Sequence, residues 1–287
     1  MLRNLKNKIS YRKRHRLINK YLKSGRVPWS VGYKEYKWDF TENSLRNFEL
    51  INDFKYHNIP NGFGLNLDER IVEYPWIFSR LNEKPELLLD AGSTFNFPEI
   101  IRKDPLKKKE IHIATFYPEA YSFVERRVSY VFCDLRNLPY KDSFFDVVVS
   151  QSTIEHIGMD NSIYGYEENN NRSIEKDYTH LEAVAEMIRV LKPGGKLLLT
   201  FPFGKFEHHG FFQQFDSSMV EGVFKLFFNR GEAKADYITY KKDGWKFASQ
   251  DDCKDSFSYN PHTGKGKGDD GAAHCRTVCC IEFVKNL

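Results

Sequence analysis

Nowhere in the 287 residues is there an apolar run long enough to cross a bilayer, and no apolar signal core stands near the start; the expectation is a soluble, cytoplasmic protein. Cysteine is scarce. The count is five, an odd number, and no CxxC pair occurs, which argues against a disulfide framework. The segment "HCRTVCC" gathers His274, Cys275, Cys279 and Cys280, but on an extended strand Cys279 and Cys280 face opposite ways. These residues therefore read as core, and no metal site is expected. Acid is missing from residues 1–26, which hold ten Lys and Arg; with a net charge of +4 overall, that leaves −6 for the rest. Glycine is short where a phosphate- or nucleotide-type loop would use it: "LLLDAGSTFNFPE", residues 87–99, has Gly92 alone, followed by Thr94, Phe95 and Asn96. Repeats and low-complexity tracts are absent as well.

What is present suffices for a globular fold: 41% hydrophobic residues can bury a full core, and 29% charged residues with a mean hydropathy of −0.57 suit an aqueous surface. Three regions are expected. Residues 1–26 place Leu2, Leu5, Ile9, Leu17, Ile18, Tyr21 and Leu22 at helical spacing among cations, the pattern of a basic amphipathic helix on an anionic membrane or nucleic acid, or of a solvated arm. Residues 27–85 form an aromatic-rich lead-in without strand–helix alternation, packed on the core. From 86 to 287, apolar runs ("ELLLDAG", "IHIATF", "VSYVFCD", "FFDVVVSQS", "GKLLLTFPF", "ADYITY", "TVCCIEFV") alternate with helices or loops, which predicts a mostly parallel sheet covered on both faces. In "DYTHLEAVAEMIRVLKPGG" the residues Leu181, Val184, Ala185, Ile188 and Leu191 share one helical face, and "KPGG" is expected to stop that helix. "YEENNNRS" and "GKGKGDDG" read as loops.

An apolar strand ending at Asp90-Ala91-Gly92 can turn into a helix N-terminus that offers amides to a ligand, although a plain strand–helix turn uses the same residues. Two further segments add weight: "FCDLRNLPYKDSFFDVVVSQSTIEHI", with Asp134, Leu138-Pro139 and Phe145-Asp146, and "RVLKPGG", Arg189 to Gly195. Together, over residues 86–206, these resemble the class I S-adenosylmethionine-dependent methyltransferases. The resemblance implies a Rossmann-like sheet of seven strands, S-adenosylmethionine as cofactor, and a transferase. It further implies that Asp90, Ala91, Gly92 and Ser93 lie beneath the methionine end, Thr115 and Phe116 at the second strand's end, Asp134 at the adenine amino group with Leu135 flanking the ring, and Ser150 and Gln151 beside the sulfonium.

Two positions depart from that family. Thr94 and Asn96 stand where members keep glycine, and Thr115 stands where they place an acid on the ribose; Glu119, Asp68, Glu69 and Glu73 are the acids that can compensate. Candidate bases follow the fourth and fifth strands: Glu155 and His156, then His208 and His209, histidine being largely neutral at cytoplasmic pH. No "NPPY" or "DPPY" for exocyclic amines occurs, nor a "PC" nucleophile, which disfavours nucleic-acid bases as acceptors. The insertion "GMDNSIYGYEENNNRSIEKDY" reads as a polar cover for a hydroxylated acceptor, and "EHIGMDNSIYG" with "LDERIVEYPW" resembles methyltransferases of bacterial surface-polysaccharide biosynthesis. O-methylation of a sugar, glycan or other small hydroxylated molecule is expected, with peripheral association at the inner membrane face through residues 1–26; an RNA methyltransferase and an inactive scaffold are the alternatives. Oligomeric state is not legible.

Overall fold

The computed structural model describes residues 2–162 and 175–287, with side chains from residue 11 onward. The expected "YEENNNRS" loop, and Leu2, Leu5 and Ile9 as side chains, lie outside what is described. Four helices come first: α1 (Leu2–Lys23), α2 (Tyr33–Arg46), α3 (Phe48–Lys55) and α4 (Arg70–Phe78). Then follow β1 (Leu87–Ala91), β2 (Glu110–Thr115), β3 (Val128–Phe132), β4 (Phe145–Gln151), α5 (His180–Val190) and β5 (Leu191–Pro202). The chain closes with β6 (Glu207–His208), β7 (Gln213–Gln214), α6 (Ser217–Phe227), β8 (Gly231–Lys241), β9 (Gly244–Ala248), α7 (Gln250–Cys253) and β10 (Thr277–Lys285).

The main sheet runs β3-β2-β1-β4-β5-β10-β8-β9. Its first five strands are parallel, and β10 is antiparallel to both neighbours. The order reverses between β1 and β4, so their carboxyl ends open a crevice of the kind that binds ligands in open α/β sheets. Eight strands stand where seven were expected. The extra one, β9, folds back on β8 through Lys242-Asp243, with Lys241 opposite Gly244, whose φ of 101° suits glycine.

Burial on both faces explains the continuous apolar runs. Leu89, Val148, Leu197 and Leu199 face α5 and α6; Leu88, Ile111, Val147 and Val149 face the other way, into a cluster with Leu45, Phe54, Ile71 and Trp76 of α2 to α4. The links from β1 to β2 and from β2 to β3 contain only short 3-10 turns, Leu106–Lys108 and Val124–Arg126. The lead-in helices therefore supply the layer that crossover helices would otherwise form. α1 joins that layer by burying Ile18 and Tyr21 against α2, and a Cβ on Gly32, at φ 91°, would stand 2.1 Å from the Leu17 carbonyl oxygen.

α5 buries Val184 and Ile188, as its periodicity predicted, with Ala183 and Met187 buried beside them while Leu181 and Ala185 are half-buried, and it stops just ahead of "KPGG" as expected. The helix ends at Val190, Leu191 opens β5, and Gly194 takes a positive φ of 73°. The surplus residues are taken up by a bulge: Phe145 pairs with Leu191, yet Val147 pairs with Lys196.

At the start of α5, His180 is fully buried, with Nδ1 3.1 Å from the Asp177 carbonyl and its ring 4.3 Å from Phe215. Burial pushes its pKa from 6.5 down to about 4. Between those values the unfolded chain binds the extra proton, so this residue's stability contribution is full above pH 6.5 and is lost as pH falls toward 4. Replacing His180 with Leu should flatten the fall of the melting temperature over that window; parallel wild-type and variant curves would show that the group does not titrate as described.

Candidate functional site

A cavity of about 600 Å³ opens where β1, β2, β3 and β4 end, within the range of small-molecule sites. A groove of about 920 Å³ also exists, but it is lined by Ser79, Asn82, Glu83 and Lys107, at the amino ends of β1 and β2. Ligands of such sheets bind at the carboxyl ends, so the smaller cavity is the candidate.

Its floor explains the missing glycines. The Asp90 carboxylate, fully buried, accepts from Thr94 N (3.1 Å), Thr94 Oγ1 (3.0 Å) and Phe95 N (2.8 Å). Burial still raises its pKa to about 6 against those three bonds. Phe95 fills the core, while Asn96 accepts from Tyr130 Oη at 2.8 Å and donates to the Tyr121 carbonyl at 3.2 Å. A side-chain clamp thus makes the turn that glycines commonly make. Asp90 and Ala91 lie beneath the surface; Gly92 and Ser93 form it, and buried Ser93 Oγ, at φ 62°, has no hydrogen-bond partner among the described residues. An added Cβ at Gly92 would stand 2.1 Å from Thr153 Oγ1, so this glycine admits the β4 loop.

At the end of β2 an acid arrives from four residues on. Glu119 Oε1 accepts from Thr115 Oγ1 at 3.3 Å, and Oε2 lies 3.4 Å from Asn96 Nδ2. Asp68, Glu69 and Glu73 do not reach the cavity surface. Past β3, Asp134 is held by Arg136 in a two-pronged pair, Nη2 to Oδ2 at 2.6 Å, and its carboxyl sits below the usual range, with burial opposing and the Arg136 bonds prevailing. Leu135 and Phe116 add apolar wall.

The lead-in completes the enclosure with residues that sequence reading did not single out. Lys37 and Trp38 of α2 and Arg70 and Tyr74 of α4 line the cavity. Lys37 Nζ bonds Asp68 Oδ2 at 2.8 Å, Arg70 Nη1 donates to the Gln151 carbonyl at 3.1 Å, and Tyr74 Oη donates to the Thr94 carbonyl at 2.6 Å. The one signal in the sequence was the aromatic density of residues 27–85.

The β4 end differs from expectation. Ser150 and Gln151 are fully buried behind the wall, and Ser152 and Thr153 form its surface. Buried Glu73 holds them there: Oε1 accepts from Ser152 Oγ (2.5 Å) and Thr200 Oγ1 (2.6 Å), and Oε2 from Gln151 Nε2 (3.2 Å). His156 reaches the cavity, its Nδ1 donating to the Phe211 carbonyl at 2.7 Å, which leaves Nε2 as the basic nitrogen. Burial lowers its pKa to about 4. Glu155 lies behind it, Oε1 3.9 Å from Nε2, and burial raises its carboxyl well above the usual value. His156 is therefore neutral at pH 7, while Glu155 is shifted toward its protonated form.

His208 and His209 do not line the cavity. They belong to the β6–β7 hairpin, where His208 Nδ1 accepts from Gly210 N at 3.2 Å and the His209 ring stacks flat on Phe212 at 4.4 Å. Residues 163–174 of the insertion after His156 lie outside the described residues.

An adenosyl sulfonium fits this lining. Leu135 and Phe116 suit a flat ring beside Asp134, Glu119 suits vicinal hydroxyls, and unpartnered Ser93 Oγ with Arg70 and Lys37 suits an amino-acid end. Residues 114–199 match the family model described as "Methyltransferase domain". No curated protein matches the chain. Among solved structures it is similar to the YcgJ protein of Bacillus subtilis (13% identity, 75% of this chain and 98% of that one, TM-score 0.44). It is also similar to a Burkholderia thailandensis 1,6-didemethyltoxoflavin-N1-methyltransferase bound to S-adenosylhomocysteine (11%, 71% and 72%, 0.40). A third is a Thermotoga maritima possible histamine N-methyltransferase (16%, 87% and 100%, 0.42). Likenesses this slight say nothing of the acceptor.

Replacing Glu119 with Gln should raise the S-adenosylhomocysteine dissociation constant about tenfold, the weight of a charge-assisted hydrogen bond to a hydroxyl. Calorimetric titration measures it, and an unchanged constant would remove Glu119 from ribose recognition.

Proposed function

We propose that this S-adenosylmethionine-dependent methyltransferase methylates a hydroxyl of a sugar, glycan or other small hydroxylated acceptor. The observation that carries the reading is the neutral imidazole of His156 in the cavity wall, beside the hydroxyl-bearing Ser152 and Thr153. When bound, the cofactor supplies a methyl carbon activated by its sulfonium. Gly92 and Ser93 shape the surface under its methionine end, and Ser152 and Thr153 present no carboxylate to that cationic centre, so no buried ion pair offsets its reactivity. His156 Nε2 would take up the proton of an acceptor hydroxyl, while Nδ1–H stays on the Phe211 carbonyl and fixes the ring.

Incubation with labelled cofactor and separate panels of nucleotide-sugars, oligosaccharides and RNA tests this. Label is expected in a hydroxylated sugar; label only in RNA, or no turnover with cofactor bound, would favour the RNA or the scaffold reading. Replacing His156 with Ala should leave cofactor affinity unchanged and slow transfer roughly a hundredfold. Because protonation of His156 begins only near its pKa of about 4, the acid limb of the wild-type pH profile should lie well below 6.5. Undiminished transfer in the variant would take His156 out of the mechanism.

Helix α1 favours a second, peripheral contact. Its apolar residues Ile18 and Tyr21 are spent on the fold, while Arg12, Lys13, Arg16 and Lys20 are exposed, which suits electrostatic attraction to an anionic lipid surface rather than insertion. Reversal of these four charges to Glu keeps the buried side chains in place, and it should abolish low-salt pelleting with anionic vesicles. Equal pelleting of both proteins would leave α1 as a packing element alone.

A further inference from the structure

A second group of chemistry-bearing residues lies outside the cavity surface. Glu69, the residue before α4, meets His274 and Cys275, which immediately precede Arg276 and β10. One carboxylate oxygen, one ring nitrogen and the Cys275 sulfur all lie within 4.8 Å of one another. His274 Nδ1 stands 3.2 Å from Glu69 Oε1, yet it has no hydrogen bond of proper direction, and neither has buried Glu69 Oε2. This close approach lacks hydrogen-bond geometry, so a cation bound between the two groups could take a lone pair from each.

Further carboxyl groups surround this cluster. Glu69, Glu73 and Glu155 are all buried around Arg70, and Glu155 Oε2 is also without a partner among the described residues. The segment carrying His274 and Cys275 is held independently of any ion. Arg276 Nε and Nη2 bond Asp270 at 2.5 and 3.0 Å, and Nη1 donates to the carbonyls of Phe257 and Gly266. Two of the ligands are thus positioned by their own loop and the third by the start of a helix.

We propose that Glu69, His274 and Cys275 form a zinc site. The donor set of carboxylate oxygen, imidazole nitrogen and thiolate selects zinc over magnesium and calcium, which take all-oxygen shells. Zinc at about 2.0–2.3 Å from each donor places Glu69 and His274 near their present separation and needs Cys275 to close by about an ångström at most. Three protein ligands leave a fourth position for water, and the His274 side chain, 17% exposed, gives access to it. On binding, the Cys275 thiol gives up its proton to solvent, and the ion ties the amino end of α4 to the amino end of β10. Arg70, next to Glu69, faces the cofactor cavity, so the ion steadies that wall without touching the reacting groups. Cys279 and Cys280 take no part: they lie in separate core clusters on opposite faces of β10.

Metal analysis of the full chain, prepared with excess zinc and then desalted, should find one zinc per chain. Reconstitution with Co²⁺ alone should give a near-ultraviolet thiolate-to-metal charge-transfer band. Cys275→Ser should lose the band, Glu69→Gln and His274→Ala should lower zinc occupancy at least tenfold, and Cys133→Ser should keep both signals. Absence of zinc in the wild type, absence of the cobalt band, or its survival in Cys275→Ser would overturn the proposal. Should Cys275→Ser fail to fold by circular dichroism, wild-type stoichiometry and Glu69→Gln decide the matter. None of these readouts depends on methyl transfer.

Discussion

One buried carboxylate, Glu73, ties helix α4 to the ends of strands β4 and β5. It leaves α4 and reaches under the sheet's carboxyl edge, accepting from Ser152 and Gln151 at the β4 end and from Thr200 on β5. Arg70, one turn earlier on the same helix, lies 3.4 Å from its other oxygen and extends to the backbone at residues 151 and 152. Removing a charge from water is costly unless its lone pairs are filled, and here they are filled by groups on three elements, so the helix can occupy only one place. Everything that the lead-in contributes to the cavity follows from that placement.

Asp90 performs a similar service on a shorter scale. Where related loops curve because glycine permits it, this one curves because a buried carboxylate draws in two amides and a hydroxyl. Thr94, Phe95 and Asn96 are therefore parts of a different construction, one bonding the acid, one filling the core and one tying the loop to the β2–β3 link. At the end of β2, Glu119 comes round by a turn to accept from Thr115 Oγ1.

Burial acts on the side chains beside the cavity at the β4 end. It holds His156 uncharged and shifts Glu155 toward its protonated form. Farther in, Glu69, His274 and Cys275 stand close enough for a cation to satisfy them together. Buried polarity is thus concentrated on the side of the sheet where α4 meets β10, behind the wall that Arg70 presents to the cavity.

The sequence alone determined the parallel strands, the α5 helix and the positions of Gly92, Thr115, Asp134 and His156 at strand ends, because periodicity and strand-end chemistry are local and survive in a linear reading. It overlooked β9, whose five residues have no apolar run of their own. Only the tertiary structure decided that α1 to α4 form a layer of the main domain, that Ser152 rather than Ser150 faces the cavity, and that Glu69 meets His274. Each of these rests on contacts between residues far apart in the chain, and no local pattern records which distant side chain will fill a buried carboxylate's lone pairs.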